Sequence, residues 1–82
     1  MTQNAEHILN WCENSQPHWR RLNALRPGNH TTAREHAYEA FKLAGEAAQT
    51  MVRAGDLSRM ELEASDILAA AVLMIERQKV TA

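Results

Sequence analysis

A capping box, a long run of helix formers and a glycine stop leave residues 32–55 few conformations other than helix. Thr32-Ala33-Arg34-Glu35 places a threonine hydroxyl at the N-cap and a glutamate three residues on, so that two orphan backbone N–H groups find partners reciprocally. No proline follows before Ala54, and Gly55 stands where a helix turns into the left-handed conformation at its end. Ser58-Arg59-Met60-Glu61 repeats the box, with Leu57 and Leu62 at the flanking positions of a hydrophobic staple. Helices are therefore predicted over about 32–54 and 58–78. Gly55 to Leu57 leaves room only for a tight reversal, which predicts an antiparallel hairpin about 30 Å long.

No segment longer than four residues alternates with the period of two that a half-buried strand requires, so the expected fold class is all-α. Upstream of the hairpin, Asn4 is placed to cap a short helix over about 4–13 bearing Ala5, Ile8, Leu9 and Cys12. Pro17 breaks that helix and suits the first turn of another, capped by Ser15 or Gln16, over about 17–25. It presents Trp19, Leu22 and Leu25, and Pro27-Gly28-Asn29 then marks a turn. No internal repeat or boundary divides the chain. The expectation is one domain over 1–82, with the two short helices folded over the long hairpin as a small up-and-down bundle.

Periodicity says which faces meet. Ala33, Ala37, Ala40, Phe41, Ala44, Ala47, Ala48 and Met51 fall on one side of the first long helix, and Glu35, Glu39, Lys42, Glu46, Gln49 and Arg53 on the other. In the second, Met60, Ala64, Ile67, Ala71 and Met74 make the facing seam. Fourteen of the 82 residues are alanine and four are aromatic, so the core is assembled from thin pieces in a chain already small enough to be marginal. The last helix nonetheless carries more apolar surface than one partner covers. Leu62, Ala69 and Leu73 point away from the seam, and Leu68, Val72 and Ile75 lie along its flank. Leu62, Ala69, Val72 and Leu73 are the predicted interface, to another protein or to a second copy of the chain.

Nine basic and ten acidic residues give a net charge of -1, without the field that draws a protein to polyanions. Cys12 is the single cysteine, so no intrachain disulfide forms, and the first fourteen residues lack the basic start and apolar core of a signal peptide. The longest apolar run, Ile67 to Ile75, is well short of the roughly 20 residues that span a bilayer. A cytoplasmic protein with no membrane partner is expected.

Three constellations are candidates for chemistry. Glu35 and Glu39 stand one turn apart, and Glu63 and Asp66 three residues apart on the next helix. With the stretch Glu63-Ala64-Ser65-Asp66-Ile67-Leu68, they resemble a degenerate form of the E-E-x-x-E … E-x-x-D pattern of the all-α, MazG-like NTP pyrophosphatases. The resemblance covers about a third of the chain. It implies Mg²⁺ held between two antiparallel helices by Glu35, Glu39, Glu63 and Asp66 for nucleotide hydrolysis. The family's second glutamate is His36 here, and Glu35 and Glu39 belong to the polar side of their helix. The second constellation, His7, His18, His30 and His36 with Cys12, lacks the paired spacing of a zinc site. The third is Trp19-Arg20-Arg21, which suits stacking on a base and contact with phosphate, or else a tryptophan closing over the core with both arginines in water. No G-x-S-x-G and no phosphate-cradling glycine loop occurs.

The leading expectation is a non-catalytic, cofactor-free protein acting through helix–helix association, with itself or with another protein. A divalent-metal nucleotide pyrophosphohydrolase is the alternative, and a nucleic-acid accessory protein the third reading.

Overall fold

The computed structural model describes residues 3–26, 28 and 32–80. Pro27 and Asn29 of the predicted turn, and His30, lie outside the described residues. Four helices follow one another: α1 (Gln3–Asn14), α2 (Gln16–Asn23), α3 (Ala33–Ala54) and α4 (Ala64–Val80). No strand occurs among the described residues.

The caps explain most of the boundaries. Thr32 Oγ1 accepts the Glu35 N–H at 3.0 Å, as the first capping box requires. At the other end of α3, Gly55 has φ 81°, the Asp56 N–H donates to the Met51 carbonyl at 2.8 Å and the Gly55 N–H to that of Val52 at 3.2 Å. Those two bonds are a Schellman motif, and the positive φ is what reserves the position for glycine. Pro17 lies in the first turn of α2. Ser15 holds the N-cap position, but its hydroxyl meets His18 Nδ1 at 3.1 Å rather than a backbone N–H.

Two expectations about caps are overturned. Asn4 lies inside α1 rather than capping it, and its amide donates to Asp66 Oδ2 at 3.0 Å and to the Glu61 carbonyl at 3.4 Å. The last helix begins at Ala64, not near Ser58. Residues 58–62 close one turn, with the Glu61 and Leu62 N–H groups donating to the Ser58 carbonyl, and the chain then leaves the helical path. A later cap wins. Asp66 reaches back to accept the Glu63 N–H at 3.0 Å, and the same carboxylate oxygen is held by Asn4 from α1. A local box at Ser58 competes with a box at Glu63 that carries a tertiary bond, and the tertiary bond decides. Met60, predicted in the seam, is consequently 97% exposed.

α3 and α4 pack together more extensively than any other pair, with α1 against α4 next. Asn4 meets Asp66 near the start of α4, and Glu13 pairs with Arg77 near its end, so α1 and α4 run in the same direction. His7 Nε2–H donates to the Asp56 carbonyl at 3.1 Å, tying α1 to the end of α3, and His36 Nε2–H donates to the Leu25 carbonyl, tying α3 to the segment after α2. The core is alanine-rich as composition implies: Ala5, Ala40, Ala44, Ala47, Ala48, Ala70 and Ala71 are buried among Ile8, Leu22, Leu43, Met51 and Met74. Ala33 and Ala37, predicted on the buried side of α3, are exposed because burial on that helix starts only at Ala40. Phe41, predicted there too, is exposed because it lies outside the arc of Ala40, Leu43, Ala44, Ala47 and Ala48 that is buried. A radius of gyration of 12.0 Å matches the value of about 12 Å expected for a packed chain of this length.

Candidate functional site

Four large apolar side chains stand out on the long helices. Leu68 and Val72 of α4 are 56% and 53% exposed, and Phe41 and Tyr38 of α3 are exposed too. Leu68 and Val72 are one turn apart and share a stripe. Asp66 and Arg77 mark the flank of α4 that meets α1, and Leu68 lies about 160–180° round from both at 100° per residue. On α3, Glu46 and Leu43 mark the flank that meets α2, and Phe41 lies on the opposite one. Leu68 and Val72 are therefore turned away from the α1 contact and Phe41 from the α2 contact. Of the predicted interface residues, Val72 belongs to the exposed stripe of α4. Leu62, Ala69 and Leu73 are partly buried against the core.

The four carboxylates of the MazG-like pattern are dispersed. Glu35 is exposed in the first turn of α3, and Glu39 sits beside Arg21 and Leu25, where α2 meets α3. Glu63 is exposed and accepts a hydrogen bond from Ser65 Oγ at 3.3 Å. Asp66 is 3% exposed and bonded to Asn4 and Glu63. Among the described residues, no three His, Cys, Asp or Glu side chains are grouped so as to hold a metal ion. The described histidines, His7, His18 and His36, instead make contacts between elements or rings. Besides the bonds of His7 and His36, the His18 ring stands edge-on to Trp11 with centroids 4.7 Å apart. Burial, helped by the Arg21 charge, holds His18 below its ordinary pKa. Cys12 is a buried core residue, and burial raises its thiol to about 11.

The Trp19-Arg20-Arg21 segment divides. Arg21 turns to α3 and pairs with Glu46, and this hydrogen bond holds the Glu46 carboxyl below its usual range. Trp19 does not close over the core: it is 47% exposed, and the half-buried tryptophan is Trp11. Trp19 lines a cleft of about 260 Å³ together with Arg26 and, from α4, Arg77 and Gln78. The sequence already set Arg26 near Trp19 but pointed to neither Arg77 nor Gln78, because only the fold brings the end of α4 to α2. A broader polar trough of about 540 Å³ between α1 and the segment after α3 includes Glu6, His7, Asp56 and Glu61. No helix among the described residues is long and apolar enough to cross a membrane.

No protein family matches this chain, and no curated protein or solved structure matches it either.

Proposed function

We propose that the protein works without catalysis, by helix–helix association, and that its partner is a second copy of itself. In this reading the protein is cytoplasmic, α3 and α4 are the arms of an antiparallel hairpin, and the outer face of that pair is the contact. The expected simple up-and-down order does not hold, because α1 runs parallel to α4. The observation that carries it is the stripe of Leu68 and Val72 on α4, each more than half exposed, with Phe41 exposed on the neighbouring helix.

The composition of the core supports self-association. Among the described residues, seven of the sixteen buried hydrophobic residues are alanines, so each of those contributes little transfer free energy, while larger side chains stay in water outside. A two-fold contact uses Leu68, Val72 and Phe41 twice, burying the large side chains that the monomer leaves exposed. The unpaired face is also flanked by charged residues, Lys42 on α3 and Glu76 on α4, the usual rim of such a contact.

Light scattering over a concentration series tests this. The wild-type chain is expected at a multiple of 9.2 kDa, and the double variant Leu68→Glu/Val72→Glu at 9.2 kDa with its helicity retained. Leu73→Glu makes the contrast, because Leu73 packs on the core and its replacement should unfold the monomer. A wild-type chain that stays at 9.2 kDa at the highest concentration, or a double variant that keeps the oligomeric mass, rejects the proposal.

A further inference from the structure

Tryptophan is the residue a small domain can least spare from its core, and Trp19 is nearly half exposed on the short helix α2. Its surroundings are not those of a stray apolar side chain. The cleft it lines joins three separate elements: Leu22 and Asn23 of α2 beside it, Glu13 of α1, and Arg77 and Gln78 at the end of α4, with Arg26 following α2. Leu22 is buried and gives the wall an apolar portion, while Arg26 is exposed and the Arg77 side chain is 51% exposed although paired to Glu13. The lining holds two guanidinium groups, Arg26 and Arg77, and one carboxylate, Glu13, which is paired to Arg77.

These parts have complementary chemistry. An indole face accepts a planar ring by stacking, and a base on an aromatic side chain gains about 1–3 kcal/mol. Guanidinium groups match the oxygens of a phosphate in a fork that lysine does not reproduce. The amide of Asn23 at the wall suits the polar edge of a heterocycle. A volume of about 260 Å³ is just below the roughly 300–1,000 Å³ of ligand clefts, so a ring and a phosphate can be seated with the sugar between them left toward solvent. We propose that the cleft between α1, α2 and α4 binds a nucleotide, with its base against Trp19 and its phosphate between Arg26 and Arg77. A free mononucleotide and one nucleotide of a single strand share this chemistry. The site is independent of the self-association face.

The test uses the intact protein and the indole N–H signals of its two tryptophans in a nitrogen–proton correlation spectrum, with that of Trp19 assigned by Trp19→Phe. Adenosine monophosphate, a short oligo-deoxyadenylate and inorganic phosphate are titrated separately. Trp19 is expected to shift saturably with the nucleotide or the oligonucleotide while Trp11 stays in place. A response to the mononucleotide identifies the free species as sufficient, and a response to the oligonucleotide alone identifies a strand. Arg26→Gln should weaken binding about tenfold, the loss of one charge-assisted contact. Arg53→Gln, an exposed change at the end of α3, should not. The proposal is overturned if neither nucleotide moves Trp19 at millimolar concentration, if phosphate alone moves it as far, or if binding survives Arg26→Gln unchanged.

Discussion

Asp66 is the residue whose removal tests the fold most directly, because one carboxylate oxygen joins a helix start to a neighbouring helix. It accepts the Glu63 N–H and the Asn4 amide, each at 3.0 Å, while almost wholly buried. Asp66→Ala loses the capping contact, worth about 1 kcal/mol. It also loses a charge-assisted bond from a side-chain amide, worth roughly 1.5–3 kcal/mol. The expected cost is about 2.5–4 kcal/mol, a large share of the roughly 4–12 kcal/mol expected for a chain of 82 residues. At about 4–8 °C per kcal/mol, the midpoint of thermal unfolding should fall by roughly 10–30 °C. Urea unfolding of wild type, Asp66→Ala, Asn4→Ala and the double variant closes a cycle that isolates the pair. A coupling of at least about 0.5 kcal/mol is expected for residues in direct contact. With Asp66 gone the box at Ser58 loses its competitor, so α4 should lengthen backward and the far-UV signal per residue deepen even as stability falls. An Asp66→Ala protein within about 0.5 kcal/mol of wild type, or strictly additive effects at the two positions, would refute the account of how α4 is started.

Two further outcomes follow from features described above. Gly55→Ala should cost about 1–2 kcal/mol in urea unfolding: nothing lies within 4 Å of an added Cβ, so the penalty is that of a left-handed φ of 81° alone. Cys12 supplies a pH dependence. Burial lifts its folded-state pKa from 9.0 to about 11, so its contribution to stability is complete below pH 9 and is lost as the pH rises toward 11. Urea midpoints at pH 8 and pH 10.5 should therefore differ more for wild type than for Cys12→Ala, and equal differences would count against a buried thiol.

How much of this was legible in the sequence depends on whether the deciding contact is local. The cap of α3 at Thr32 and its stop at Gly55 involve residues within five positions of each other, and both were readable. The start of α4 was not. Ser58 opens a capping box in the sequence, but α4 starts where Asp66 accepts the Glu63 N–H, and that carboxylate is held by Asn4, some sixty positions upstream, which the sequence suggests as a cap for α1. Starting α4 six residues late moves Met60 from the seam into water. The interface candidates Leu62 and Leu73 rest against the core, while Leu68 and Val72 are left outside. Phe41 went the same way: periodicity grouped it with the alanines, but α3 is buried on a narrower arc than its alanines suggest. The cleft at Trp19 was half legible. The tryptophan and its neighbouring arginines drew attention from composition, yet the guanidinium that completes it, Arg77, comes from the far end of the chain, and Arg21 is engaged by Glu46 instead.

The same helix accounts for both surfaces, and this gives its composition a physical reason. α4 is apolar nearly all round, which would be wasteful in a helix with one buried face. Its positions are in fact divided three ways. Ala70, Ala71 and Met74 enter the core. Leu68 and Val72 form the outer stripe, while Arg77 and Gln78 reach the cleft beside α2. Val72 and Arg77 are five residues apart, about 140° round the helix, and successive turns carry the arginine toward the C-terminal end. A copy seated on Leu68 and Val72 therefore approaches from a direction that leaves Trp19 and Arg26 open to solvent. In the proposed reading, therefore, association and ligand binding use different faces. An alanine-built core follows from this division. Small residues let α1 and α3 come close to α4 at once, and association is proposed on its remaining side and ligand binding at its end.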